Sequence, residues 1–433
     1  MQAHVRAASR LGLVWIALGA ATIGAGCGGG KSDPSSEEGG ASSAGNGGNG
    51  GNGNNTSQGG NSSSNDGDNN TSSGSNGPVD ADPSAVALAK RLGRDHFLIG
   101  LSGPDVPKTG QLDILYRYVV RGGDPAQAWP KWESPDGQYA TSQINAAKAA
   151  GAIPMFTTYE FTGLGEGNIA GVADEPYMTF FWADMRLLAE KLKASDAPAI
   201  VHIEPDFWAY AQIQGGSDPT KVAAFVSNEA PCEGLPQDLT GLGRCVVKIF
   251  HTISPKVAVG LHASVFAAYD QAGNPDGKAV GKYLHQVTGG EADFVATDVL
   301  DRDAGCFELQ VDTNEYKCVR EGSGWYWDET NQTSPNFHES FAWATSMHEG
   351  AIVPTLWWQV PMGVPSDTPG GSPGMYRDNR VRYFMSHIDE LVKAGGVGVA
   401  FGAGAAGQTT QTTDGGQFER ALNAYNANPV LLK

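Results

Sequence analysis

The chain has 433 residues, with 47 acidic against 29 basic side chains and a formal charge of −18. That balance excludes recognition of nucleic acid, which needs a basic face to meet the phosphates. Apolar residues make up 40 % of the chain, enough for a large core, yet residues 28–78 contribute almost none of them.

The start carries Arg6 and Arg10 and no acid, followed by an apolar run from Leu11 to Ile23. This run is shorter than the roughly 20 residues a membrane span needs. A basic start, a short apolar stretch and small residues before a cut site read as an export signal. Gly24, Ala25 and Gly26 before Cys27 resemble the lipobox of bacterial lipoproteins, with Gly24 in place of the usual branched aliphatic residue. The resemblance implies that residues 1–26 are removed and that Cys27 becomes a lipidated N-terminus; the alternative is plain cleavage and release. Residues 27–78 are rich in Gly, Asn and Ser. They have nothing apolar to offset the entropy of folding and are expected to be a disordered tether. The expected location is the outer membrane or cell surface, or otherwise the medium, with the lipid anchor as the only contact with a membrane.

Residues 79–433 are expected to form one domain. Two local cysteine pairs, Cys232 with Cys245 and Cys306 with Cys318, are expected to be disulfides in an exported protein. Zinc is disfavoured because close Cys/His spacing is missing. Eight short β-rich runs recur along the domain. In order they are HFLIGLSG from His96, DILYRYVV from Asp113, AIPMFTTYEF from Ala152 and AIVHIEP from Ala199. KVAVGLHAS from Lys256, ADFVATDV from Ala292, AIVPTLWWQ from Ala351 and GVGVAFGAG from Gly396 complete the series. Helical patterns intervene: TSQINAAKAAG, YMTFFWADMRLLAEKLKAS, SFAWATSMHEG and VRYFMSHIDELVKAGG. Alternating strands and helices imply parallel βαβ units, and eight of them predict a closed (β/α)8 TIM barrel with long βα loops. A doubly wound open sheet is the alternative, but no Gly-rich phosphate loop follows the first run.

Barrel sites lie at the C-terminal ends of the strands, and polar and aromatic residues gather there. Ser102, Gly103 and Asp105 end the first strand, Tyr159 and Glu160 the third, and Glu204, Asp206 and Trp208 the fourth. His262 and Ser264 end the fifth, Asp298, Asp301 and Asp303 the sixth, and Trp357, Trp358 and Gln359 the seventh. Alternation predicts that Val201 and Ile203 face the helices while His202 and Glu204 face inward, with His262 and Asp298 also inward. Of the adjacent Trp357 and Trp358, one is expected inside and one against the helices. Trp129, Trp132, Trp325 and Trp327 fall in loops beyond strand ends, where aromatic faces suit sugar rings.

Paired carboxylates across a cleft are what glycosidic cleavage needs, one donating a proton and one activating water or attacking the sugar. The stretch HIEPDFW resembles the fourth-strand signature of (β/α)8 glycoside hydrolases, an Asn-Glu-Pro triplet whose glutamate is the general acid. Glu204 and Pro205 match, and Ile203 replaces the asparagine. The Glu-Pro-Asp run is also similar to that of barrels acting on galactosaminide polymers. Retaining members of the larger group carry a glutamate nucleophile on the seventh strand, where this chain has Gln359. An amide cannot take that part, so the partner carboxylate is expected from Asp298 or Asp301, or the barrel binds sugar without cleaving it.

The expected catalytic set is therefore Glu204, Asp298 and Asp206, the last orienting Glu204 or capping the next helix. The expected substrate contacts are Tyr159, His202, Trp208, His262, Asp301, Trp325, Trp357, Trp358 and Gln359. The partner expected is a polysaccharide or oligosaccharide, bound by a monomer with no cofactor and no metal. The Asp298–Asp303 acids also suit a structural calcium, and His202, His262 and Asp298 are a thin version of a metal cluster. Arg377 and Asp378 are expected to pair with each other or cap a helix. No nucleophile elbow of a serine hydrolase is present.

Overall fold

A computed structural model describes residues 79–103, 107–165, 167–299, 327–364, 378–402 and 409–433. The signal, Cys27 and the tether lie outside the described residues, as do Asp105, Asp301, Asp303, Cys306, Cys318, Trp325 and Arg377. Eight strands follow the eight predicted runs: β1 (Leu98–Ser102), β2 (Ile114–Val120), β3 (Ile153–Tyr159), β4 (Ala199–Ile203), β5 (Val257–Ala263), β6 (Phe294–Thr297), β7 (Thr355–Val360) and β8 (Gly396–Phe401). All pair in parallel in chain order, and β8 returns to β1 with Ile99 opposite Val399. That last pairing closes the barrel and rules out the open sheet. The strands are apolar along most of their length because both faces are covered, one by the barrel interior and one by helices.

Ten α-helices are seen among the described residues. They are α1 (Pro83–Arg91), α2 (Gln138–Ala149), α3 (Glu175–Ser195), α4 (Phe207–Gln214), α5 (Leu239–Ile253), α6 (Gly277–Thr288), α7 (Phe337–Ala351), α8 (Arg380–Ser386), α9 (Ile388–Lys393) and α10 (Gln417–Ala427). Half of them begin at a side-chain cap: Asp82 accepts from Ser84 N at 2.8 Å and Asp238 from Thr240 N at 2.8 Å. Asn336 likewise accepts from Glu339 N at 2.9 Å. Such caps satisfy amides that have no carbonyl partner within the helix. The single helix expected over VRYFMSHIDELVKAGG is two, broken at His387. There the Ser386 hydroxyl donates to Arg382 O, and the His387 ring stacks on Tyr383 at 3.9 Å with its Nδ1 2.9 Å from Tyr383 O. Side chains that engage the carbonyls of the preceding turn compete with helix continuation.

Val79 bridges Leu432, and Leu432 N donates to Asp95 O at 2.9 Å, just ahead of β1. The described chain therefore starts at the N-terminal face of the barrel, opposite the mouth. Cys232 and Cys245 form the expected disulfide, tying the loop before α5 to that helix. Along α6 and α7 the backbones pack through glycines. A Cβ on Gly281 would lie 2.1 Å from Met347 O, and one on Gly350 2.4 Å from Lys278 O. Gly281→Ala is expected to force these helices apart and cost about 2 kcal/mol, read as a lower urea midpoint with unchanged slope.

Candidate active site

Strand β4 stops at Ile203 because the next residue takes a left-handed backbone, φ +52° at Glu204, as does Asp206 at +63°. Gln359, near the end of β7, sits at +54°, where the β7–β8 register shifts between Trp357 and Val360. Such conformations are costly for residues with a Cβ and tend to occur where function holds them. At Glu204 the turn breaks the strand's alternation. The carboxylate leaves the inward row that His202 occupies and crosses to the end of β3. Its Oε1 accepts from the Thr158 hydroxyl at 3.1 Å and the Glu160 amide at 2.9 Å, and Oε2 accepts from the Phe161 amide at 3.0 Å. Thr158 is on the opposite face from Thr157, whose hydroxyl meets His202 Nδ1 at 3.2 Å. The expectation that His202 and Glu204 share the inner face is thus corrected.

Glu204 is fully buried, and burial pushes its carboxyl up from 4.5 to about 7, with the three donors pulling the other way. It forms part of a groove at the mouth, walled by Tyr159, Phe161, Asp206, Phe207 and Tyr210. Asp206 is half-buried there. It precedes α4 without capping it and instead accepts from Ser264 Oγ, at the end of β5, at 3.2 Å. Asp298 follows β6 and is also half-buried. The carboxylates Asp206 and Asp298 therefore flank the end of β5 from either side.

Beneath the mouth, His202 Nε2 lies 3.1 Å from His262 Nδ1. Trp358 presses edge-on against both rings, at 4.8 and 5.5 Å, and against Tyr118 at 5.8 Å. Burial holds His202 well below the usual histidine range, so it is neutral. His202, His262 and Trp358 are at most 1 % exposed and fill the barrel interior.

Trp357 alternates to the other face and packs on Phe341 and Phe384. Trp208 packs on Phe207 and donates to Ile203 O at 3.0 Å. Both rings are buried in the core and present no face to the cleft. Placement at a strand end did not imply exposure, because the following residues turn back under the helices. Tyr159 lines the groove and is buried, and Gln359 is 2 % exposed. Asp301 and Trp325 are outside the described residues. Asp378 pairs with Arg380 and accepts from its amide, Arg377 is outside the described residues, and Arg380 lies over the Trp327 ring at 4.6 Å.

The sequence reading missed Tyr210, which shares a face of α4 with Phe207 at helical spacing, a signal present in AIVHIEPDFWAY itself. It also missed a buried group behind Glu204. Glu160 turns away from the groove, where its Oε1 accepts from Trp129 Nε1 at 2.8 Å and its Oε2 faces Arg121 Nε at 3.7 Å. Arg121 also binds Asp184, on α3. No local pattern links these residues, which come from β2, β3 and α3. No group of three or more His, Cys, Asp or Glu among the described residues is arranged to hold a metal ion.

No family model matches the chain, and no curated protein is similar to it. Solved structures share its barrel. A modular endo-β-1,4-mannanase from Cellulomonas fimi is 12 % identical, with 81 % of this chain and 76 % of that one covered and a TM-score of 0.47. A chitinase from Rhizomucor miehei is 11 % identical over 76 % and 98 %, with a score of 0.38. The tryptophan synthase A-subunit of Pyrococcus furiosus is 12 % identical over 69 % and 89 %, with a score of 0.26. The likeness is one of architecture alone, and it does not carry the chemistry of those proteins to this chain.

The buried acids make a pH prediction. Between pH 4.5 and about 7 Glu204 holds a proton in the fold that the unfolded chain has lost, so the stability it contributes disappears as pH rises through 7. Glu160, also raised, and His96, raised mainly by its bond to Asp113, work in the same direction. His202 works in the opposite direction, but only below 6.5. Unfolding free energy is therefore expected to be lower at pH 8.5 than at pH 6.5, measured by urea titration. Glu204→Gln is expected to flatten that slope while lowering stability by about 2 kcal/mol, because its NH2 faces the Phe161 amide.

Proposed function

We propose that this protein is a glycoside hydrolase, exported and tethered at the cell surface through Cys27, that cleaves a polysaccharide or oligosaccharide at the barrel mouth. The observation that carries the reading is the groove itself. It is lined by Glu204 and Asp206 at the C-terminal ends of the strands and by Tyr159 and Tyr210, and tyrosine rings suit the C–H faces of a pyranose. Glu204 serves as the general acid: a carboxyl near 7 is half-protonated at neutral pH. Its Oε2 takes one donor where Oε1 takes two, so Oε2 keeps room for the proton that goes to the leaving oxygen. Asp298 serves as the partner that activates water or attacks the sugar. Asp206, held by Ser264 between them, orients the reacting groups.

Reducing-sugar release on a panel of polysaccharides tests this. Glu204→Gln and Asp298→Asn are each expected to lose roughly 10²–10⁴-fold in kcat, with folding checked by circular dichroism. Glu204→Gln should keep most of its rate on aryl glycosides whose leaving group needs no proton.

A second reading, a sugar-binding barrel without catalysis, is favoured by Gln359 at the strand where a nucleophile is expected and by the three donors that occupy Glu204. Binding without release by the parent protein would select it. For the tether, Cys27→Ala is expected to move the protein from the membrane fraction to the medium, read by immunoblot of the fractions.

A further inference from the structure

Arg121, Glu160 and Asp184 come from three elements and meet directly behind Glu204, and nothing in the acid–base scheme above uses them. We propose that these three residues form a proton-dependent latch, positioning Glu204 only while the cluster retains a shared proton. Glu160 is the link. Its amide donates to Glu204 Oε1, its carbonyl accepts the Tyr177 hydroxyl, and its own carboxylate reaches back to Trp129 and Arg121. Whatever moves the Glu160 side chain moves the turn that holds Glu204.

Two carboxylates, Glu160 and Asp184, face one guanidinium, and the Glu204 carboxylate lies close enough to act on Glu160. Glu160 and Glu204 are 0 % exposed, Arg121 3 % and Asp184 6 %. Full ionisation would leave two uncompensated charges in a site closed to water, a cost that protonation avoids. The geometry indicates where the proton sits. Arg121 commits its Nη2 to Asp184, while its Nε and Nη1 have no hydrogen-bond partner among the described residues. Glu160 Oε2 also has none, and its separation of 3.7 Å from Arg121 Nε is too long for a hydrogen bond. The proton of the pair is therefore shared between the Glu160 and Asp184 carboxyls, with Asp184 also paired to Arg121.

Tyr177 on α3, Trp129 in the 3₁₀ turn Trp129–Lys131, Lys131 and Glu204 are the other titratable or polar groups facing the cluster. Lys131 is engaged by Asp136 at the surface. Burial first and the Asp184 charge second push Glu160 well above its ordinary range, and burial takes Asp184 to about 6. When the proton leaves Glu160 for solvent, repulsion from Asp184 and Glu204 pushes the 160–161 turn off the Glu204 carboxylate.

The link to catalysis rests on Glu204 being the acid of the cleft, whereas the latch itself does not. Trp129 is a built-in reporter, because its N–H donates to Glu160. In the full-length protein labelled with 5-fluorotryptophan, the Trp129 ¹⁹F resonance, assigned with Trp129→Phe, is expected to move in one step between pH 5 and 9. Asp184→Asn should lower that midpoint by about one unit or more, since it removes a like charge and frees Arg121 for Glu160. Glu160→Gln should abolish the step. The alkaline limb of any hydrolytic pH profile should shift with Asp184→Asn in the same direction, with KM unchanged. A Trp129 resonance that is flat from pH 5 to 9 in the parent protein overturns the latch without any variant, as does an unmoved midpoint in folded Asp184→Asn. A titrating Trp129 in a protein that cleaves no glycan would uphold the latch and overturn the hydrolase reading. Cleavage with a flat Trp129 would do the reverse.

Discussion

The carboxylate of Glu204 is held by donors that belong to a neighbouring strand's end: a threonine hydroxyl and two successive backbone amides. To reach them the chain adopts a left-handed turn at a residue with a Cβ, and the strand ends there. The mouth depends on this crossing. Pro205 and Asp206 follow it into the groove, and α4 starts immediately after, carrying Phe207 and Tyr210 to the wall. Had the strand kept its alternation, Glu204 would have joined His202 and His262 inside the barrel. The groove would then have lost a member of its wall.

Two opposing forces act on Glu204, and their near balance gives the site its character. Burial disfavours the anion, while three hydrogen bonds favour it. Behind it the same conflict recurs with Glu160 and Asp184, which share one arginine. Acids elsewhere in the chain resolve the conflict differently. Asp328, at the surface, takes bonds from Thr330, Gln332 and Thr333 and is held far below the carboxylate range. Asp293, under the barrel, is lowered by His251 and Arg91 despite its burial. Well-partnered acids of that kind stabilise the fold at neutral pH. Glu204 is a raised acid that lines the groove, where a proton held near neutrality is chemically useful.

The tryptophans show how strand-end placement can mislead. Trp208, Trp357 and Trp358 all follow the pattern of mouth residues, and all are buried. Trp358 fills the interior over the two histidines, and Trp357 sits under α7 and α8. The expectation that this adjacent pair would face opposite ways holds, since alternation is a property of the backbone. Whether a ring is exposed depends on what packs over it.

Eight strands in order, their parallel pairing and the closed barrel were legible in the sequence, because period-two apolar runs and intervening helical faces are local signals. The Cys232–Cys245 disulfide and the inward row of His202 and His262 were legible for the same reason. The side of β4 on which Glu204 lies was not, because one residue's φ reverses it and no propensity forces that value. The Arg121–Glu160–Asp184 group was not legible either. Its members lie on separate elements whose meeting is set by barrel closure and by the packing of α3 on β3. Local pattern thus determined which elements form and which faces they bury. The tertiary structure alone decided which acids meet and how far each is from water, and that distance sets their chemistry.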